Sequence, residues 1–272
     1  MYPAVGVTKG QVIDYYTRVA PALLPHLLGR PLTLKRYPNG VEGQFFYEKN
    51  CPSHRPEWVP TREIGGIEYC VCDDLPTLVW MANLADLELH PSLSLAEAIE
   101  RPTVMAFDLD PGEPAGIMQC REVALLLRDA LERIGLECFP KTSGSKGLQL
   151  YVPLHAASVS YDDTKPLSQA LARHLEGEHP ELIVSSQKKE LRRGKVLIDW
   201  SQNDEHKTTV SVYSLRAREH PTVSTPLDWE ELEAARAPDG LAFTADVVLE
   251  RVRERGDLFA PVIELEQALP EL

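Results

Sequence analysis

Over residues 9–28 the apolar positions Val12, Ile13, Tyr16, Val19 and Ala20 recur at helical spacing, which predicts an amphipathic helix brought to its end by Pro21 and Pro25. The pattern then shortens to extended runs at residues 32–37 and 43–50 around the turn Pro38-Asn39-Gly40. Further short strands are expected at 67–72 and 87–89, with a helical stretch at 78–85 between them. A second amphipathic helix is predicted at 115–134 through Val123, Leu126, Leu127, Ala130, Leu131 and Ile134, and Gly135 stops it. Beyond it, strands are expected at 137–141, 148–154, 182–185 and 196–200, and helices at 164–176, 229–235 and 245–253. Residues 208–215 have the β-branched character of a strand but are short enough for two helical turns.

One apolar run ends in charge. In Val104-Met105-Ala106-Phe107-Asp108-Leu109-Asp110-Pro111-Gly112, strand alternation puts Asp108 and Asp110 on the same face just before a Pro-Gly turn. Paired carboxylates suit hard divalent cations, two of which about 3.5–4 Å apart clamp an in-line phosphoryl displacement. Taken alone, the pair is equally the signature of a turn in which one Asp caps and the other is solvated.

Composition bounds these readings. The 272 residues, 43% hydrophobic and 25% charged, suffice for a full globular core. No apolar run approaches the roughly 20 residues of a membrane span, and the first residues lack a basic-then-apolar leader, so a cytoplasmic protein without a membrane partner is expected. Five cysteines argue against a disulfide framework and for reduced thiols. The net charge of −13 counts against nucleic-acid binding, but it is unevenly spread. Residues 228–272 hold 12 acidic and 4 basic side chains, whereas residues 188–218 hold 8 basic and 4 acidic. A local basic channel in an acidic protein fits those counts, as does a solvated charged face.

Three further elements join the carboxylate pair. The loop Ser143-Gly144-Ser145-Lys146-Gly147 between two strands offers backbone N–H groups, hydroxyls and an ammonium to an anion, although flexible hairpins share that composition. It lacks Walker A spacing, and a strand follows it, which disfavours a conventional P-loop ATPase. Asp199 ends the apolar strand Ile198-Asp199-Trp200 as a third acid, or as a turn residue. Arg192, Arg216 and Arg218 flank that strand with planar forks suited to phosphate, or with stems packed on the surface. Cys51, His54, Cys70 and Cys72 form a possible zinc set, but the second pair lacks the usual spacer and reads as apolar strand residues.

In order and spacing, Phe107-Asp108-Leu109-Asp110-Pro111, Thr142-Ser143-Gly144-Ser145-Lys146-Gly147-Leu148 and Ile198-Asp199-Trp200 resemble the archaeo-eukaryotic primase-like polymerases of the bacterial ligase D type. The resemblance runs from Val7-Thr8-Lys9-Gly10 to Pro226-Leu227-Asp228-Trp229. It implies an α/β (α+β) primase-polymerase fold: a single domain with mixed or antiparallel sheets packed against helices. Within it, an N-terminal α/β module of about residues 1–95 precedes a catalytic module of about 96–272. It further implies that Asp108, Asp110 and Asp199 bind two Mn²⁺ or Mg²⁺ ions. His90, Ser143, Lys146, Arg192, Arg216 and Arg218 would contact the NTP or dNTP, Phe45 and Phe46 would stack on template bases, and Lys9 would approach a downstream 5′-phosphate.

Gln149 departs from that pattern. It stands where many relatives have histidine, and alternation with Leu148 and Leu150 keeps it facing the site as a nucleotide-binding candidate. An uncharged amide cannot supply an imidazolium. The implied function is a metal-dependent nucleotidyltransferase that extends 3′ ends at gaps or double-strand breaks in non-homologous end joining, with ribonucleotides favoured and nucleoid-associated action. DNA ligase and Ku would be separate partners. The alternative is a non-catalytic end-binding or scaffolding protein on the same fold; primer-independent priming is left open.

Overall fold

The computed structural model describes residues 1–270. It is a mixed α+β structure with two five-stranded sheets, one in each of two compact units. Among the described residues no helix is long and apolar enough to cross a membrane.

The first unit comprises Met1–Ile99, Thr208–Thr225 and Phe243–Asp257. Helix α1 (Lys9–Leu27) opens with a capping box in which the Thr8 hydroxyl accepts from the Gln11 N–H and the Gln11 side chain accepts from the Thr8 N–H. Pro21 and Pro25 lie inside α1 rather than ending it. A proline in a helix interior costs about 3 kcal/mol, but here Val19, Ala20, Ala22, Leu23 and Leu27 are buried on both sides of Pro21, and that packing holds the helix together. Strands β1 (Pro31–Arg36), β2 (Phe46–Glu48), β3 (Thr61–Ile64), β4 (Ile67–Val71) and β5 (Asp86–Pro91) form an antiparallel sheet, with helix α2 (Leu75–Asn83) between β4 and β5. The sequence pattern missed β3, whose alternation is weak.

Residues 208–215 are neither strand nor helix beyond two isolated bridges, Thr208 to Ser92 and Leu215 to Val223. The Thr209 and Ser211 N–H groups instead donate to the β5 carbonyls of Pro91 and Leu89. Tyr213 takes the left-handed conformation at φ 62°, held by a hydrogen bond from its hydroxyl to Asp257 at 2.7 Å. This segment and the helix Ala245–Arg255 return to the first unit, although the sequence pattern placed them in the second module.

The second unit comprises Glu100–Lys207, Pro226–Ala242 and the chain from Leu258 on. Its strands β6 (Val104–Pro111), β7 (Phe139–Thr142), β8 (Leu148–Pro153), β9 (Ile183–Val184) and β10 (Val196–Asp199) lie in the order β7-β8-β6-β10-β9. All pairs are antiparallel except β9 with β10. Helix α3 (Ile117–Arg133) buries Cys120, Val123, Ala124, Leu127, Ala130 and Leu131, and α4 (Tyr161–Glu178) buries Leu167, Leu171 and Leu175. The fully buried Asn203 completes the turn after β10: its amide oxygen accepts from the Ala106 N–H and its NH₂ donates to the Ala106 carbonyl, both at 2.8 Å. That clamp on β6 fixes where β10 ends, and so where Asp199 stands.

Candidate active site

Residues directly opposite each other in an antiparallel pair project to the same face. The register sets Lys141 on β7 opposite Gln149 on β8, Gln149 opposite Asp108 on β6, and Asp108 opposite Asp199 on β10. A polar row therefore crosses four strands. The alternate positions Phe107, Leu109, Leu148, Leu150 and Ile198 are completely buried and point to the opposite face. Asp110, two residues past Asp108, is exposed on the same strand face, as alternation predicts.

Two close backbone approaches assemble the loops around this row. A Cβ on Gly147 would stand 2.0 Å from the Leu109 carbonyl oxygen, so only glycine lets the 143–147 loop lie against β6. A Cβ on Gly112 would meet the Arg192 carbonyl oxygen at the same distance, and the Gly112 N–H donates to the Lys195 carbonyl at 2.8 Å. The basic stretch is thereby anchored at the carboxylate end of β6. Ser143 is turned into its own loop, its hydroxyl oxygen accepting from the N–H groups of Ser145 and Gly147. Lys146 is exposed and pairs with Glu113 at 3.1 Å, an ion pair that water screens.

Asp108 is pushed up to about 7, first by burial and then by the like charges of Asp110 and Asp199, with Gln149 and Lys141 acting the other way. The Asp199 carboxylate is already well supplied. Its Oδ1 accepts from Gln187 Nε2 at 2.8 Å and from the Ser201 hydroxyl at 2.6 Å, and its Oδ2 accepts from Gln202 at 3.0 Å. Gln187 also accepts from the Arg192 guanidinium at 3.1 Å, linking that arginine to the third acid.

The first unit gathers a separate cluster. Glu88 Oε2 lies 2.9 Å from Lys35 Nζ, 3.2 Å from His90 Nε2 and 3.4 Å from Arg216 Nε, and Glu88 Oε1 accepts from the Ala217 N–H at 3.0 Å. Burial raises the Glu88 carboxyl, but the His90 hydrogen bond and the Arg216 and Lys35 charges outweigh it and hold the group far below the usual carboxylate range. Burial lowers His90, so the ring is neutral near pH 7; facing an ionised carboxylate, its Nε2 carries the proton and donates. Phe45, Phe46 and Tyr47 are all exposed on or beside the edge strand β2. Lys35 Nζ sits 4.8 Å from the Phe45 ring centroid and the Arg36 guanidinium 5.2 Å from that of Phe46. Lys9 opens α1, and its ammonium donates to the Asn83 carbonyl at 2.9 Å. Arg218 is exposed two residues after Arg216.

The profile described as "LigD, primase-polymerase domain" matches residues 8–259. The chain belongs to the LigD primase-polymerase family. It is 42% identical over 268 residues to the multifunctional non-homologous end joining protein LigD of Mycolicibacterium smegmatis, covering 96% of this chain and 35% of that protein. To the bifunctional LigD of Bacillus subtilis it is 34% identical over 249 residues, covering 92% of this chain and 40% of that protein. The chain thus spans well under half the length of these curated relatives. The polymerase domain from Mycobacterium tuberculosis ligase D, solved in complex with DNA, aligns with a TM-score of 0.89 and 40% identity, covering 98% of this chain and 96% of that one.

Within this LigD-family fold the donor set fits a hard divalent cation. Three carboxylates end neighbouring strands, and the mutual repulsion that raises Asp108 is what a dication would offset. The set is not drawn into a closed cage: among the described residues no three His, Cys, Asp or Glu side chains are gathered to hold an ion. The Asp199 oxygens accept from Gln187, Ser201 and Gln202, and an ion bound there would replace some of these hydrogen bonds.

Glu88, Lys35, Lys141, Gln187 and Gln202 escaped the sequence reading. For Glu88 a signal existed, since Leu87 and Leu89 alternate with Glu88 and His90. Cysteine chemistry is corrected: Cys51 and Cys70 form a disulfide with their Cα atoms 4.9 Å apart, where reduced thiols were expected. The two are thereby unavailable as zinc thiolates, and the buried Cys72 thiol is pushed well up by burial.

Proposed function

We infer that this chain is a divalent-metal-dependent nucleotidyltransferase that extends primer 3′ ends at gaps and broken DNA ends, favouring NTPs, in non-homologous end joining. The observation that carries this reading is Asp108 opposite Asp199 on adjacent strands, with Asp110 at the end of the same face. Mn²⁺ or Mg²⁺ held there would acidify the primer 3′-hydroxyl and neutralise the triphosphate. Around it, the 143–147 loop with Ser143, Lys146 and Gln149 would hold the nucleotide and Arg192 would engage its phosphates; by family resemblance His90 would be a further nucleotide contact, and Arg216 and Arg218 further phosphate contacts. Lys9 would meet a 5′-phosphate. The DNA bound to the tuberculosis domain and the end-joining names of the relatives support this assignment. A DNA ligase and Ku acting on the same end would complete the repair.

The protein is expected to extend a primer into a short gap bounded by a 5′-phosphate when Mn²⁺ or Mg²⁺ is supplied, and to stop when EDTA removes the ion. Extension indifferent to EDTA overturns the reading. DNA held without extension in either metal favours the end-binding scaffold instead.

Template contact has its own test. A base stacked on an aromatic ring contributes about 1–3 kcal/mol with little sequence preference. Phe46→Ala is therefore expected to weaken template binding by that amount for purine and pyrimidine templates alike, as measured by fluorescence anisotropy. Unchanged affinity removes Phe46 from the interface.

A further inference from the structure

The polar row begins with a lysine that the proposed chemistry has not used. Lys141 is 0% exposed, and its Nζ donates to Gln149 Oε1 at 2.5 Å. A buried ammonium is costly unless it is hydrogen-bonded and countered by nearby negative charge. Here the countercharge is the carboxylate group of the same row, reached through Gln149. The Tyr151 ring, 5.4 Å from the ammonium to its centroid, contributes the negative face of its π-system.

A glutamine amide has one accepting end and one donating end, and nothing intrinsic decides which faces a carboxylate. Lys141 decides it. With Oε1 committed to the ammonium, the NH₂ group faces Asp108 and hydrogen-bonds to it. The reverse orientation would set an amide oxygen against a carboxylate and an NH₂ against an ammonium, repulsive at both ends.

The geometry points to Lys141 as a positioning residue: from β7 it locks the Gln149 amide so that a donor always faces Asp108, which fixes the orientation of that carboxylate for its metal. The charge that one imidazolium would carry beside the acids is divided here, the cation on β7 and the donor on β8. This inference rests on the polymerase reading of the site.

The test compares Lys141→Met, Gln149→His and the double variant with the parent protein. Replacing a buried charged group by an apolar one of similar volume is often neutral or stabilising, so Lys141→Met is expected to fold with an unchanged or higher Tm. Removing a support of a metal ligand typically costs about 10–100-fold. Single-nucleotide insertion by Lys141→Met is therefore expected to lose kcat on that scale with KM for the nucleotide unchanged. Mn²⁺ binding to the metal-free protein, followed by the electron paramagnetic resonance of the free ion, is expected to be as tight or tighter, because a positive charge has left the neighbourhood. Adding Gln149→His to Lys141→Met is expected to restore most of kcat, since an imidazole can present a donor without being oriented by lysine.

Parent-level kcat in Lys141→Met overturns the proposal. So does a loss that comes with weaker Mn²⁺ binding and a lower Tm and that histidine does not rescue, which would mark a structural role. If the parent itself neither binds Mn²⁺ nor extends a primer, the polymerase reading fails and takes this proposal with it.

Discussion

Glu88→Ala is expected to destabilise the protein by about 3–5 kcal/mol, the range for removing one member of a buried charge cluster. The Glu88 side chain is 3% exposed, and its cationic neighbours Lys35 and Arg216 are 12% and 17% exposed, so water replaces little of what is lost. The Ala217 N–H loses its acceptor at the same time. Glu88→Gln keeps an oxygen for that N–H and is expected to cost less. Urea denaturation at pH 7 measures both, and a Glu88→Ala loss under 1 kcal/mol refutes the cluster's role.

The pH dependence has a defined sign. A carboxyl held low in the fold contributes stability above its unfolded pKa and loses it as the pH falls toward the folded value. Below about pH 4.5 the parent should lose stability more steeply than Glu88→Gln. Parallel acid limbs would show that the carboxylate gains nothing from its partners.

Asp108→Asn is expected to have opposite effects on activity and on stability. Several kcal/mol of charge stabilisation at the reacting phosphate depends on the metal carboxylates, so primer extension should fall by about 10³-fold or more. Stability should rise. Burial and two like charges raise Asp108 from 3.8 to about 7, so the folded state holds its proton more tightly than the unfolded chain. A carboxyl raised in this way becomes a growing penalty as the pH climbs through that window, up to about 4 kcal/mol at about 1.4 kcal/mol per pKa unit.

In EDTA, Asp108→Asn should therefore be more stable than the parent at pH 8 and nearly equal to it at pH 4. A stability difference that does not change with pH would falsify the account of repulsion within the acid cluster. Addition of Mn²⁺ should narrow the gap at pH 8 by stabilising the parent alone.

The acid cluster was legible in the sequence because it is local. Strand alternation places Asp108 and Asp110 on one face, and Asp199 ends another apolar run, so a period of two and a turn signal are enough. Lys141 was not legible. In Phe139-Pro140-Lys141-Thr142 it looks like a solvated strand residue, and the pairing of β7 with β8 on one side and the bridge to Pro226 on the other are long-range contacts that the local sequence does not show. Gln187 was hidden for the same reason, since its partners Asp199 and Arg192 meet it through loop geometry. The Cys51–Cys70 bond joins residues 19 apart, one in the loop between β2 and β3 and the other near the end of β4, and spacing alone suggested no pairing. Phe45 and Phe46 went the other way: adjacent strand residues normally divide between core and solvent, yet both are exposed because β2 is short and lies at a sheet edge.

The return of Thr208–Thr225 and Phe243–Asp257 to the first unit carries a consequence for biosynthesis. Domains commonly fold as units in the order in which they leave the ribosome. Here the opening third of the chain emerges without the backbone that satisfies the Leu89 and Pro91 carbonyls and without the Asp257 carboxylate that anchors Tyr213 and pairs with His26. The segment from Glu100 to Lys207 carries all five strands of its own sheet and is synthesised before those pieces arrive. The acid-bearing sheet can therefore form during translation, while the unit that precedes it in the chain is completed after it.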